Sequence, residues 1–263
     1  MRKLHTDDAW LNGLALSDVD AAIIVRPAVE PEQKSNIQYI SNAGRSGRYI
    51  ASDTRDSKIV QVRFSIKGLA NLTERSRVID AVNGWAATGG LLQLSSRVDQ
   101  QIGVTCIKYV TPIDIISPAG VYVLEFEANN VPYWQDIDNQ SVIIESDDDN
   151  SNIIVRGTTE SVIKFVAHAT EGTLTTLTVT ATSVNGHVSS ITLSGLNLAS
   201  GTDIVFDHDA HGFLTITASG VSLLNKRTAA SDDDLFVWPG TANVAVSANT
   251  TVHVQFYVWG RWV

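Results

Sequence analysis

The chain has 263 residues, of which 44% are hydrophobic and 18% are charged, a composition typical of a globular protein rather than a disordered one. It contains no apolar run of about 18 residues, so the sequence predicts no membrane span. A net charge of −9 disfavours sequence-independent contact with the phosphates of nucleic acids.

The negative charge is confined to one half of the chain. Residues 1–134 carry 14 Lys/Arg and 14 Asp/Glu, whereas residues 135–263 carry the remaining 5 of 19 basic and 14 of 28 acidic residues. Such asymmetry is typical of two domains that face different partners. We therefore predict a first domain over 1–134, an acidic linker over 135–151 and a second domain over 152–263.

The amino terminus and the single cysteine indicate the compartment. Met1-Arg2-Lys3-Leu4 is not followed by the apolar core of a signal peptide, which predicts synthesis in a cytoplasm. Cys106 has no partner for an internal disulfide. It lies in a strand-like run, where we expect a small buried hydrophobic residue rather than a nucleophile.

Strands begin the first half. Trp10-Leu11-Asn12-Gly13 predicts an apolar anchor followed by a turn, and residues 21–25 predict a strand stopped by Pro27 and Pro31. The clearest strand is 60–66, in which apolar and polar residues alternate so that one face is buried. Further strands are predicted over 91–94, 104–110 and 121–127.

One helix is predicted from Thr73, whose hydroxyl can cap the first turn. An apolar stripe follows at helical spacing, and Gly89-Gly90 ends the helix because glycine adopts the left-handed cap without steric cost. The stripe consists of Val78, Ile79, Val82 and Trp85. The first half is therefore predicted to be α+β, an antiparallel sheet covered by one helix.

Residues 41–57 are polar, hold two glycines and lack periodicity, which predicts a long loop or arm. Arginine pairs two carboxylate oxygens at once, so an acidic surface on a neighbouring subunit is the expected partner. The candidate interface residues are Arg45, Arg48, Tyr49 and Arg55. The alternative is a mobile, solvated loop.

Short strands recur through the second half at the spacing of a β-sandwich or jelly roll. They are predicted over 153–155, 162–167, 174–182, 189–194, 204–207, 213–218, 243–246 and 252–259. In the last of these, Tyr257 and Trp259 alternate with apolar residues and so face away from the core. They pack either against a sheet edge or loop, or against a partner.

The sequence contains no nucleophile elbow, phosphate loop, dinucleotide fingerprint or zinc-protease motif, so we predict no catalytic residues and no cofactor. The densest titratable cluster consists of Asp203, Asp207, His208, Asp209 and His211. Its oxygen and imidazole groups could hold a divalent metal, but Asp and His are also ordinary turn residues. We predict no metal site there, and a metal-dependent hydrolase remains as a competing hypothesis.

Several motifs together resemble the distal tail protein family of long, flexible-tailed bacteriophages. They are the Trp10-Leu11-Asn12-Gly13 opening, the arginine-containing loop, the strand 59–64 before a helix bearing Trp85, and Pro132-Tyr133-Trp134 at the seam. The chain ends with Trp238-Pro239-Gly240-Thr241-Ala242-Asn243 and the tail Trp259-Gly260-Arg261-Trp262. The family reads Pro-Gly-x-Asn, and here one extra residue separates Gly240 from Asn243.

The resemblance implies a structural virion protein, not an enzyme. It implies a hexameric ring that joins the tail tube and tape-measure proteins to the tail tip or receptor-binding apparatus, with genome DNA passing through it without specific binding. The first domain forms the ring, and the second, galectin-like or jelly-roll, projects outward. The alternative is a carbohydrate-binding or adhesin module, for which Trp238, Trp259 and Trp262 are the available aromatic residues.

Overall fold

The computed structural model describes residues 7–31, 35–40, 49–55, 57–68, 71–111, 120–129, 132–145, 149–209 and 213–263, with the backbone alone at 35–40 and 49–55. By its internal contacts the chain divides into two compact units, residues 1–133 and 134–263. Most of both units is antiparallel β-structure. Among the described residues, no helix combines the length and apolar character needed to cross a bilayer.

The described residues of the first unit form one antiparallel sheet, a separate hairpin and two helices. The strands are β1 (Ala9–Leu11), β2 (Leu14–Ala15), β3 (Ile23–Val29), β4 (Ser35–Ile40), β5 (Tyr49–Arg55), β6 (Ile59–Ile66), β7 (Gly90–Leu94), β8 (Arg97–Lys108) and β9 (Tyr122–Ala128). The helices are α1 (Leu16–Val19) and α2 (Leu72–Ala87). The sheet has the strand order β2-β1-β7-β8-β9-β6-β3, and the hairpin is β4-β5.

The alternating pattern that predicts β6 places one face of this strand in the core. Val60, Val62 and Phe64 are buried, and the residues between them are partly exposed. The stripe of α2 is buried as predicted, and Trp85 packs edge-on against Phe126 of β9, with 6.0 Å between the ring centroids. This contact places the helix on the sheet.

The start of α2 differs from the prediction. The cap is Asn71 rather than Thr73, because the Asn71 side-chain oxygen accepts a 2.8 Å hydrogen bond from the amide of Glu74. Asparagine and threonine both serve as caps, so sequence alone does not separate two candidates two residues apart. At the other end, Gly89 has a φ of +55°, consistent with the predicted glycine stop.

A second helix, α1, is absent from the prediction. It has four residues, too few for a periodic apolar stripe. It is stabilised by a residue that lies outside the helix. The buried carboxylate of Asp8 accepts hydrogen bonds from both the amide and the hydroxyl of Ser17. A short helix stabilised by a residue nine positions earlier leaves little local signal in the sequence.

The predicted strand stop at Pro27 is wrong, since β3 continues to Val29, although it ends before Pro31, the other predicted stop. Its register with β6 shifts between Arg26 and Val29, so Pro27 lies in an irregularity of the ladder. β3 is also the last strand of the sheet. Proline lacks an amide hydrogen and is tolerated at such an edge or bulge.

The sequence predicts a long loop or arm over 41–57, and the absence of regular structure in the loop alternative is wrong for part of this segment. Residues Tyr49–Arg55 form β5, which pairs antiparallel with β4. A two-stranded hairpin satisfies its backbone by cross-strand hydrogen bonds and needs no continuous apolar face, so periodicity is a poor guide to it. Residues 41–48 lie outside the described residues.

The described residues of the second unit form thirteen strands and one short 3-10 turn, Leu224–Lys226. The strands are β10 (Trp134–Asp136), β11 (Gln140–Ile144), β12 (Asp149–Val155), β13 (Ser161–Ala169), β14 (Thr173–Thr182), β15 (Val188–Ala199), β16 (Ile204–His208), β17 (Leu214–Ala218), β18 (Val221–Ser222), β19 (Phe236–Val237), β20 (Gly240–Ala248), β21 (Val252–Val258) and β22 (Arg261–Trp262). One sheet has the order β11-β21-β13-β16-β17-β18, and a second has β12-β20-β14-β15.

The two sheets share a single hydrophobic core. Inward residues from both belong to one buried cluster, in which Phe165 stacks on Phe206 at 4.7 Å and lies 5.9 Å from Phe256. All eight strands predicted for this half are present, but β12 begins earlier, at Asp149, and β15 extends further, to Ala199. The strands β10, β11, β18, β19 and β22 are absent from the prediction. The second unit is therefore a β-sandwich.

The predicted acidic linker over 135–151 does not fit the structure. Strands β10 and β11 and the start of β12 lie within it, and β11 pairs with β21 along five residue pairs. The acidic composition is misleading here, because β11 itself is apolar at Val142, Ile143 and Ile144. Strands β11 and β12 belong to the two sheets of the sandwich, and β10 pairs with β22.

Candidate functional site

The predicted interface residues are not brought together by described contacts. Arg45 and Arg48 lie outside the described residues. Tyr49 and Arg55 are the first and last residues of β5, and their side chains are not described. Their role in an interface stays a prediction.

The aspartates and histidines of the titratable cluster over 203–211 do not converge on one point. The described members pair with different residues. Asp203 Oδ1 lies 3.0 Å from His168 Nδ1, Asp207 forms an ion pair with Lys164, and His208 Nε2 lies 2.6 Å from Asp234 Oδ2. Asp209 accepts a 2.9 Å hydrogen bond from the amide of Phe213. His211 is not described, and the described residues contain no group of three or more metal-ligating side chains.

The best-formed candidate site lies on the outer face of the sheet that contains β21 and β13. The inward residues Val252, Val254, Phe256 and Val258 are fully buried, so the residues between them point outward. The outward row consists of His253, Gln255, Tyr257 and, directly after the strand, Trp259. The register pairs Tyr257 with Lys164 and His253 with His168 on β13.

At one end of this face, aromatic and charged groups meet in a hollow of about 220 Å³. The Lys164 ammonium lies 5.4 Å from the centroid of the Trp259 ring, close enough for a cation–π interaction. Tyr257 and Trp259 lie nearly parallel, with centroids 6.3 Å apart and planes inclined by 28°. We call this hollow the Trp259 groove.

The rim of the Trp259 groove is polar. Asp207 Oδ1 accepts hydrogen bonds from the Lys164 ammonium and, at 2.7 Å, from the amide of His208. Asn139, which is exposed, and Val205 complete the rim. The groove therefore combines flat apolar surfaces with an ammonium, a carboxylate and an amide.

At the other end of the face, two imidazoles stack. His168 and His253 lie 5.2 Å apart with planes inclined by 18°. Each Nδ1 faces a carboxylate, Asp203 at 3.0 Å and Glu145 at 3.6 Å. Each imidazole therefore has a carboxylate near its Nδ1, and its Nε2 lies outside that pair.

Two other hollows are less suited to a specific ligand. One of about 510 Å³ in the first unit is lined by Thr105, Ile107, Glu127 and Asn129, among others, and the Thr105 hydroxyl already donates to the Asn129 side chain at 2.8 Å. Another of about 200 Å³ lies over Thr178 and Thr180 on the second sheet, where those hydroxyls pair with Thr192 and Ser190.

Cys106 is buried, as expected from its strand. Burial raises the pKa of its thiol, and the hydrogen bonds to the Lys108 carbonyl and the Tyr109 side chain oppose that rise without cancelling it. A thiol with a raised pKa has little thiolate at neutral pH and is a poor nucleophile.

Sequence reasoning found part of the Trp259 groove. Alternation in the last strand placed Tyr257 and Trp259 on the outer face. Lys164 and Asp207 were missed as partners, because they become neighbours only through the register of β21, β13 and β16. The outward position of Lys164 is nevertheless visible in the alternation of β13.

No protein-family profile and no curated protein sequence matches the chain. Solved structures do match it. The crystal structure of the SPP1 Dit protein, described as a paradigm of the hub adsorption apparatus in phages that infect Gram-positive bacteria, has 12% identity and a TM-score of 0.70. The match covers 98% of this chain and 99% of the Dit chain.

Chains of the phage P2 baseplate are also similar. In its activated conformation with calcium the match has 8% identity, a TM-score of 0.50 and coverage of 97% of this chain and 98% of that one. At such identities the likeness concerns the fold. The chain has the fold of the SPP1 Dit protein along nearly its whole length, and the resemblance to the distal tail proteins of phages is confirmed at that level.

Proposed function

We propose that the chain is a structural protein of a phage tail, a hub at its distal end that joins the tail tube to the tip or receptor-binding apparatus. The observation that carries the proposal is the similarity to the SPP1 Dit hub protein across both units. A sandwich alone is shared by many unrelated proteins, but an α+β unit followed by a sandwich is a more specific combination. The similarity spans that combination.

We propose further that the first unit assembles six chains into a closed ring. Its equal numbers of basic and acidic residues, 14 of each, permit close packing of identical subunits. The second unit is strongly acidic, with 5 basic and 14 acidic residues, so six copies repel one another and favour an outward arrangement. The same charge disfavours adhesion of the genome DNA that passes through the ring.

The partners in this proposal are the tail tube and tape-measure proteins on one side and the tip or receptor-binding proteins on the other. The location is the virion tail, after assembly in the host cytoplasm. The second unit is proposed to be a galectin-like or jelly-roll variant of the sandwich. The hub function requires no catalytic residue and no cofactor, and rests on surfaces that bind other chains.

Sedimentation of the purified full chain tests the proposal. A hexamer has six times 28.4 kDa, about 170 kDa, whereas the monomer has 28.4 kDa. We expect the larger species at high protein concentration, with a mass that does not grow further because a ring is closed. A monomer at every concentration and salt, or an open-ended series of masses, contradicts a preformed ring.

The second candidate is a carbohydrate-binding or adhesin module. It is favoured by the outward Tyr257 and Trp259, which border a groove rimmed by Lys164 and Asp207. The two functions are compatible, because the ring is assigned to the first unit and the groove lies in the second.

A further inference from the structure

We propose that the Trp259 groove binds one ring of a neutral sugar. The inference rests on the second candidate function, carbohydrate binding by this groove, and does not depend on the hub function. It follows from four features of the groove, namely its aromatic surfaces, its available polar groups, its charge and its size. Each of these restricts the chemistry of the occupant.

The aromatic surfaces fit the apolar side of a pyranose. Tyr257 and Trp259 lie nearly parallel at the outer surface, and both are only partly buried. The faces of aromatic rings carry partial negative charge, which attracts the weakly positive C–H groups on one side of a sugar ring. The Lys164 ammonium lies 5.4 Å from the Trp259 centroid, and the cation–π attraction at this distance favours the observed position of the indole.

The polar groups fit the hydroxyls of the same ring. Both hydrogen bonds that the Asp207 side chain accepts go to Oδ1, and within the described chain Oδ2 accepts none. The Asn139 amide is exposed and likewise has no hydrogen bond to the described part of the protein. A hydroxyl donates to a carboxylate and exchanges hydrogen bonds with an amide, whereas an apolar ligand leaves both unpaired.

Charge selects a neutral ligand over an anionic one. The positive charge of Lys164 is already paired with Asp207, so the groove offers no uncompensated cation. The surrounding half of the chain has 14 acidic and 5 basic residues, and its field repels uronic acids, sialic acids and phosphates. The hollow of about 220 Å³ is smaller than the roughly 300–1,000 Å³ of sites for drug-sized ligands, which limits the occupant to about one ring.

Saturation-transfer NMR on the full chain tests the proposal. The probes are the methyl glycosides of glucose, galactose and N-acetylglucosamine, with glucuronate as the anionic comparison. We expect at least one neutral glycoside to bind with a Kd of about 1–10 mM, as suits a small and open site. Glucuronate is expected to bind at least about tenfold more weakly.

Three variants make the test specific to the groove. Trp259→Ala removes the larger aromatic surface, and Asp207→Asn keeps the shape of the rim but removes the carboxylate. Both are expected to weaken binding by about tenfold or more. Trp238→Ala is the matched control, because Trp238 is an exposed tryptophan of the same unit outside the groove. It is expected to bind as the unmodified chain does.

The proposal is overturned if no neutral glycoside binds at concentrations up to about 50 mM, far above the expected Kd. It is equally overturned if Trp259→Ala and Asp207→Asn, shown by circular dichroism to be folded, bind normally, or if Trp238→Ala loses binding to the same extent. A change of assembled mass in Trp259→Ala without any sugar binding also contradicts it, because the groove is then an interface between chains.

Discussion

The indole Nε1 of Trp85 donates a 3.0 Å hydrogen bond to the carbonyl oxygen of Leu14. This bond connects the end of α2 to β2, which lies 71 residues earlier in the chain. Trp85 is 6% exposed and also packs edge-on against Phe126. One side chain therefore joins the opening hairpin, the helix and the sheet of the first unit.

The first prediction is that Trp85→Ala lowers the free energy of unfolding by about 3–5 kcal/mol, as for other large-to-small changes in a core. Trp85→Phe keeps most of the apolar contact but leaves the Leu14 carbonyl without its donor, so we expect a loss of about 1–3 kcal/mol. Urea unfolding followed by circular dichroism measures both. Trp238→Ala, on the exposed surface, is the control, and a loss below about 1 kcal/mol for Trp85→Ala contradicts the assigned packing.

The second prediction concerns the carboxy-terminal strand of the second unit. Trp262 Nε1 donates a 2.7 Å hydrogen bond to Oδ1 of Asp136, a carboxylate that is 4% exposed. Trp262→Phe leaves this buried carboxylate with one fewer partner and should cost about 1–3 kcal/mol. A double-mutant cycle with Asp136→Ala measures the coupling between the two. Additive effects of the two changes exclude a direct contribution of this bond.

The third prediction concerns the boundary of the second unit. The fragment 134–263 retains β10 and β11, whereas the fragment 152–263 begins inside β12 and lacks both. We expect 134–263 to fold alone with the circular dichroism of a β-protein, and 152–263 to be unfolded or markedly less stable. Because 140–144 is a paired strand, limited proteolysis should spare it. Early cleavage within 140–144, or equal stability of the two fragments, argues instead for the linker predicted from the sequence.

The fourth prediction concerns Cys106. Burial raises the pKa of its thiol above the ordinary value of 9.0, so the thiolate, which is the reactive form, is scarce at pH 8. Iodoacetamide should modify native Cys106 much more slowly than the same cysteine in urea. The native rate should keep rising with pH beyond the point at which the unfolded chain levels off. Equal rates for folded and unfolded protein contradict the buried position.

The fifth prediction concerns the candidate interface residues Arg45 and Arg48, which lie in sequence between β4 and β5. If Arg45 and Arg48 pair with carboxylates of a neighbouring chain, then Arg45→Ala with Arg48→Ala should weaken ring formation or tail attachment without lowering thermal stability. The control is Arg75→Ala with Arg77→Ala, which removes the same charge from α2 in the same unit, together with the 3.0 Å ion pair between Arg77 and Asp20. Assembly that is unchanged across a range of salt means that this segment is not an interface.

The sequence predicts those parts of the fold in which local pattern and burial agree. Alternation places Val60, Val62 and Phe64 in the core, and helical spacing does the same for Val78 and Val82. Elements that are stabilised by residues far away in the sequence are absent from the prediction, because their own sequence contains no local pattern. The helix α1 depends on Asp8, and β22 depends on its pairing with β10.

The candidate site shows the same limit. Alternation predicts that Tyr257 and Trp259 face outward, and the structure places them there. The partnership of Lys164 with Asp207 requires the register of three strands, which single-strand patterns do not contain. The charge pattern is also a poor guide over 135–151. Its acidic composition predicts a linker, but the stretch contains the edge strand β11.

The most direct test of the hub proposal is negative-stain electron microscopy of the purified full chain. We predict closed particles with sixfold symmetry and a central channel wide enough for duplex DNA, as single rings or as two rings back to back. Particles that remain monomeric at high protein concentration and low salt, or that form open filaments without a channel, contradict a ring built by this chain on its own.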